Sequence, residues 1–171
     1  MLPCTTRQQR GGEWTLNSEH LPITVREAKV QDVDVIAPLF DAYRQFYAQA
    51  PNATLAAAFI HARLSGREST ILLASAADGQ VVGFCQLYAS FCSVRAQAIG
   101  LLYDLFVSPA MRQAGIGRAL MQAAEHYAQT AGWARLDLTT AMTNTPAQAL
   151  YESQGWVRDA VFYTYNKVTV L

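Results

Sequence analysis

The chain has 171 residues, enough for one domain with a substantial core. Hydrophobic residues make up 51% of it, and 13 basic residues balance 13 acidic ones, so no overall field recruits nucleic acid or an anionic membrane surface. No apolar run reaches the roughly 18 residues of a membrane span. These features point to a globular protein with neither nucleic acid nor membrane as partner.

The opening stretch, MLPCTTRQQRGGEWTLNSEH, lacks the apolar core of a signal peptide, and residues 1–20 read as a polar, mobile extension before a domain at 21–171. ITVREAKV (23–30) alternates and predicts a strand. In 32–47, Val35, Ile36, Leu39, Phe40, Tyr43, Phe46 and Tyr47 recur at helical spacing, with Asp32 or Asp34 as the cap. Pro51-Asn52 breaks that helix and TLAAAFIHARL (54–64) predicts a second. STILLASA (69–76) reads as a buried strand, and Asp78-Gly79 as a hairpin turn. Long strands follow at 81–94 and 98–107, the latter ended by Ser108-Pro109. A helix from about 115 to 130 lines one face with Ile116, Leu120, Met121, Ala124 and Tyr127, and stops at Gly132. ARLDLTTA (134–141) alternates as a strand. TPAQALYESQ (145–154) is a short helix with Asn144 at its cap and Gly155 past its end, and VFYTYNKVTV (161–170) a last strand. The order predicts a mixed α/β sheet in one domain, with an antiparallel meander and a parallel crossover over 98–141.

Cys4, Cys85 and Cys92 lack metal-like spacing, and His20, His61 and His126 are scattered, so no metal site is expected. Cys85 and Cys92 read as packing residues of a reducing compartment, placing the protein in the cytoplasm.

RQAGIGRAL (112–120) sits between a strand and a helix N-terminus. Uncommitted backbone N–H groups and the helix dipole favour an anion there, and glycines at 115 and 117 let one approach. The third glycine of a dinucleotide fingerprint is missing, as is the Gly-Lys-Ser/Thr of a Walker loop. A plain turn into a helix is the bland alternative.

LYDLFVSPAMRQAGIGRALM, followed by NTPAQALYESQGW, resembles the GCN5-related N-acetyltransferase (GNAT) family. The first block carries the pattern R/Q-x-x-G-x-G/A at Arg112, Gly115 and Gly117. The second carries N-x-x-A-x-x-L-Y-E-x-x-G-W from Asn144 to Trp156. The resemblance implies a mixed, mostly antiparallel sheet of six to seven strands flanked by about four helices, with the parallel strands 98–107 and 134–141 splayed. It implies acetyl-CoA as co-substrate and direct transfer of acetyl to a primary amine in a ternary complex. The backbone of Arg112, Gln113, Ala114, Gly115, Ile116, Gly117 and Arg118 would hold the pyrophosphate, and Leu105, Phe106 and Val107 the pantetheine arm. Tyr151 matches the family's tyrosine beside the thioester sulfur, where a phenol can protonate the departing thiolate; its plain alternative is packing. Asn144, two turns and about 10 Å earlier on the same face, would bond the cofactor, cap the helix, or both.

A base must also deprotonate the ammonium. Related diamine acetyltransferases place a glutamate where this chain has Tyr103, followed by an aspartate matching Asp104. Strand alternation lets only one of Tyr103 and Asp104 face the cleft unless a bulge intervenes, and Tyr103 is the one expected to line it. Asp104 is base, directly or through water, or a structural residue. Tyr43, Phe46 and Tyr47, with Gln86, Tyr88 and Phe91, would wall the acceptor site; an aromatic stripe at helical spacing is otherwise core. Arg44 pairs with a substrate carboxylate or faces solvent. The acceptor expected is a small-molecule amine, the alternatives being a protein lysine or N-terminus, a non-catalytic acyl-CoA sensor, or a structural domain with no CoA site. The β-branched end of the last strand suggests a homodimer.

Overall fold

The computed structural model describes residues 7–10, 13–17 and 22–169. Cys4 and His20 lie outside them. The chain falls into two compact units, Met1–Thr139 and Thr140–Leu171.

The first unit is built on one sheet, its seven strands in chain order: β1 (Arg7–Arg10), β2 (Glu13–Asn17), β3 (Pro22–Glu27), β4 (Thr70–Ser75), β5 (Val81–Cys92), β6 (Gln97–Val107) and β7 (Leu136–Asp137). All neighbours are antiparallel except β6 and β7, which run parallel. β4 is buried on both faces along Ile71–Ala74, as its unbroken apolar run requires. On one face lie α1 (Val33–Phe46) and α2 (Ala53–Ser65), whose Ile36, Phe40 and Ile60 pack on Ile71, Leu73, Phe84 and Phe106. α3 (Ile116–Thr130) covers the other face with Ile116, Leu120, Met121 and Ala124. Gly83 permits its close approach: an added Cβ would stand 3.3 Å from Ile116 and 2.8 Å from the Phe106 carbonyl oxygen. Asp41 ties α1 to α2, its carboxylate accepting from the Asn52 backbone N–H, Arg44 and Gln45 at 3.0, 2.7 and 3.0 Å.

Five of the six strands read from the sequence are present, as β3 to β7. The stretch read as a mobile extension contributes β1 and β2, which extend the sheet beyond β3. The strand expected over 134–141 shrinks to Leu136–Asp137, paired only as Gly100↔Leu136 and Leu101↔Asp137. β6 continues past that point without β7. The ladder between β5 and β6 slips there: Gln86 opposes Asp104 while Leu87 opposes Leu102, leaving Tyr103 as the extra residue of a β-bulge. A bulge bends and twists its strand, and the parting from β7 begins next to it.

The second unit holds α4 (Thr145–Glu152), capped by the Asn144 side chain, which accepts from the Ala147 N–H at 3.4 Å. The last expected strand does not form. Asp159 takes the backbone N–H groups of Val161 and Phe162 at 2.7 and 3.0 Å, which commits them to a local turn in place of a ladder. Residues 161–169 carry no strand, and Phe162, Tyr163 and Tyr165 are exposed.

Candidate active site

The bulge decides what β6 presents. Across β5, Phe84 and Gln86 share the face covered by α1 and α2, where Phe84 meets Phe106 and Phe40. Asp104 lies opposite Gln86 and on that same face. The extra residue turns Tyr103 there too, its ring edge-on to Tyr88 with centroids 5.7 Å apart. Tyr103 and Asp104 are thus neighbours in sequence and companions in direction, which regular alternation forbids. Tyr103 is 68% exposed and Asp104 6%.

Burial pushes the Asp104 carboxyl up to about 6, because a charged carboxylate loses solvation inside the protein; a hydrogen bond from Tyr43 acts the other way. Burial first, and the nearby Asp104 charge second, drive the phenol of Tyr43, on α1, well above its ordinary range. Its ring is enclosed by Phe40, Tyr47, Phe84 and Phe106 at centroid distances of 6.2, 5.2, 6.1 and 6.1 Å. Tyr43 is therefore part of the aromatic core, its ring enclosed on several sides. Tyr88 is pushed up to about 12, by burial first and the Asp104 charge second.

Gln86 is fully buried. Its Nε2 sits 2.6 Å from Ser69 Oγ, and its Oε1 has no hydrogen-bond partner. A separation of 2.6 Å is short for N–H···O and ordinary for O–H···O, so the amide turned over, with Ser69 donating to Oε1, fits better. Phe46 and Tyr47 close the row at the end of α1, with rings edge-on at 5.1 Å and Phe46 55% exposed. Phe91 stands away on the exposed far half of β5. Arg44 belongs to Asp41, which settles its role as structural.

β6 leads from Asp104 through Leu105, Phe106 and Val107 into the glycine loop. Gln113 and Gly115 both take positive φ, 64° and 80°. Nothing lies within 4 Å of a Cβ built at Gly115, so this glycine answers a backbone requirement and leaves open space beside the helix start. α3 begins there with no side-chain cap. Ala119 N–H bonds back to the Gly115 carbonyl at 3.0 Å, and the N–H groups of Ile116 and Gly117 before it are ones an α-helix start can offer to an outside acceptor. Arg112 lies over the rings of Phe46 and Phe106 at 5.7 and 5.9 Å, and its Nε donates to the Val107 carbonyl at 3.3 Å. It thereby ties the loop back to β6 and α1.

Asn144 and Tyr151 lie on α4 of the second unit. Tyr151 packs against Trp156 with ring centroids 6.3 Å apart, and its carbonyl accepts the Trp156 N–H at 3.2 Å. Cys85 is a packing residue, as expected; its Sγ approaches the Leu120 carbonyl at 3.8 Å. Cys92 is not: it lies half-buried with Arg135 Nη1 at 3.7 Å. No group of three or more His, Cys, Asp or Glu side chains placed to hold a metal occurs among the described residues. Sequence reasoning missed Ser69 beside Gln86, a contact that depends on register between distant residues and leaves no local signal.

Comparison with known proteins agrees with the motifs. The acetyltransferase (GNAT) family model matches residues 36–156, which run through both units. An uncharacterized N-acetyltransferase, YhfO, of Bacillus subtilis (strain 168) is 44% identical over 143 residues, 84% of this chain and 95% of that protein. An aminoglycoside N(6')-acetyltransferase type 1 of Klebsiella aerogenes is 30% identical over 105 residues, 59% of this chain and 68% of its own. The crystal structure of a probable acetyltransferase superimposes with a TM-score of 0.80 at 33% identity, over 85% of this chain and 97% of that one. With the sheet, the parting of β6 from β7 and the glycine loop at the start of α3 in place, the chain belongs to the acetyltransferase (GNAT) family.

Proposed function

We propose that the protein transfers an acetyl group from acetyl-CoA to the primary amine of a small molecule, by direct attack in a ternary complex. The observation that carries this reading is the buried Asp104 carboxyl, pushed up to about 6 beside the strand end that leads into the glycine loop. A carboxylate with its pKa near neutrality is suited to take a proton from an ammonium at working pH.

The residues at the loop fit the co-substrate. Gly115 leaves open space, and the amides of Ile116 and Gly117 suit a pyrophosphate. In this reading the backbone from Arg112 through Gln113 and Ala114 to Arg118 holds that pyrophosphate, and Leu105, Phe106 and Val107 present the β6 edge to the pantetheine arm. Acetyl-CoA supplies the activated acyl group as a thioester. Asp104 accepts the ammonium proton, and the Tyr151 hydroxyl protonates the thiolate as it leaves. Tyr103, Tyr88, Phe46 and Tyr47 line the acceptor side, with Gln86 buried beneath them, and Asn144 bonds the co-substrate while it caps α4. Similarity to an aminoglycoside acetyltransferase favours a small-molecule amine over a protein lysine.

We also place the protein in the cytoplasm, as a homodimer within a single acetyltransferase domain. The exposed apolar side chains of 161–169 support pairing with a second copy, which sedimentation of the full chain tests. For the activity, the release of CoA thiol is followed with a panel of small amines and lysine peptides. Turnover with small amines, lost in Asp104→Asn, is the expected result. Turnover only with peptides removes the small-molecule assignment.

A further inference from the structure

Arg112 opens the glycine loop, and its side chain leads away from the start of α3. The loop leaves β6 through a single turn over Pro109–Met111 and enters α3 at Ile116, on one face of the sheet. The Arg112 guanidinium lies on the opposite face, where α1 and α2 pack. Its Cζ stands 5.9 Å from the centre of the Phe106 ring and 5.7 Å from that of Phe46, the last residue of α1. Its Nε donates to the Val107 carbonyl at 3.3 Å, back across the strand end. We infer that Arg112 is a positioning residue: its guanidinium braces the glycine loop against β6 and α1, and so holds the backbone that receives the pyrophosphate of the co-substrate. The inference rests on the reading of this loop as the acetyl-CoA site. It goes beyond that reading by giving the side chain a task apart from phosphate contact, and by making Phe46, on the acceptor side, part of that task.

The loop has need of a brace. Gln113, the residue after Arg112, takes φ of 64°, and Gly115 takes 80°. Glycine adopts that conformation without steric cost. A glutamine does not, and holds it only where its neighbours over-determine it. Ile116 is buried and fixes the far end of the loop in the core. Arg112 fixes the near end from the other face of the sheet. A loop held at both ends keeps its amides aimed before the ligand arrives, so less ordering opposes binding. Arginine suits the task. Its planar, weakly hydrated cation lies on aromatic faces and still donates in its own plane, whereas the compact lysine ammonium has no flat face to lay on a ring.

The test is CoA binding by isothermal titration calorimetry to full-length wild type, Phe46→Leu, Arg112→Lys, Arg112→Met and the variant carrying both Phe46→Leu and Arg112→Lys, with Tm recorded for each. An exposed cation–π contact is worth a factor of roughly two to five in an equilibrium constant. Phe46→Leu and Arg112→Lys should each raise the CoA Kd by about that factor. The variant carrying both should bind like Arg112→Lys alone, because the two changes break one contact. A wild-type Kd in Arg112→Lys, with weakening confined to Arg112→Met, makes the charge the only need and Arg112 a phosphate ligand, which overturns the inference. An unmoved Kd in Phe46→Leu with a lowered Tm overturns it too, because the contact then serves stability alone. If the wild type binds no CoA, the assignment of the loop as co-substrate site fails and the brace with it, a result read from the wild type apart from any variant.

Discussion

Asp104→Asn isolates what the buried carboxyl costs the fold. Its folded value of about 6 stands above the ordinary 3.8, so the unfolded chain releases the proton first as pH rises. Stability from this group is fully present below pH 3.8 and is lost as pH climbs through 6. The difference between the two values corresponds to about 3 kcal/mol by linkage. At 6% exposure little solvent screening reduces it. About half of that loss has occurred by pH 5 and nearly all of it by pH 8. Asparagine does not titrate, and its own burial cost is the same at both pH values. Urea unfolding of both proteins at pH 5 and pH 8 is the assay. The stability of Asp104→Asn relative to wild type should rise by about 1 kcal/mol between them. Equal differences at the two pH values refute the argument, because they mean that Asp104 titrates in the folded protein as it does in water.

Gly100→Ala would set a Cβ 2.1 Å from Trp133 Cε3 and 2.7 Å from Leu136 Cδ2, at the two-rung seam between β6 and β7. Such overpacking costs about 1–3 kcal/mol, a fall of roughly 2–12 °C in Tm by calorimetry, and Trp133→Leu in the same chain should restore part of it. Tyr127→Phe removes the hydroxyl that accepts from Thr70 Oγ1 at 2.8 Å. It should cost about 1 kcal/mol by urea unfolding. Under the proposed function, Tyr151→Phe lowers kcat roughly 100-fold with the acetyl-CoA KM unchanged, measured by CoA release.

The helices were legible because their cores are narrow stripes. Ile36 and Phe40, then Ile116, Leu120 and Ala124, recur at helical spacing and are buried where the period puts them. β4 was legible from its unbroken apolar run. β1 and β2 were passed over because RQQR and EWTLN are polar by composition, yet Trp14 and Leu16 alternate with polar residues, and Gly11-Gly12 between the two segments is a two-residue hairpin signal. The last strand misled for the opposite reason. Val161 to Val168 has strand composition, and Asp159 claims its first N–H groups for a turn. The glycine loop was readable because chemistry fixed its residues. The exposure of Tyr103 and burial of Asp104 were not, since a bulge depends on the register with β5 and no residue type marks it.

Tyr103 is the one residue of β6 without a partner on β5, and this bears on how such a site is gained or lost by insertion and deletion. Remove it, and Leu102 and Asp104 keep the partners they already have, Leu87 and Gln86, in a ladder of ordinary alternation. A chain shorter by this single residue would keep every cross-strand pair of β5 and β6. It would lose the bulge and the aromatic ring beside Asp104. One codon thus separates a bulged strand from a regular one.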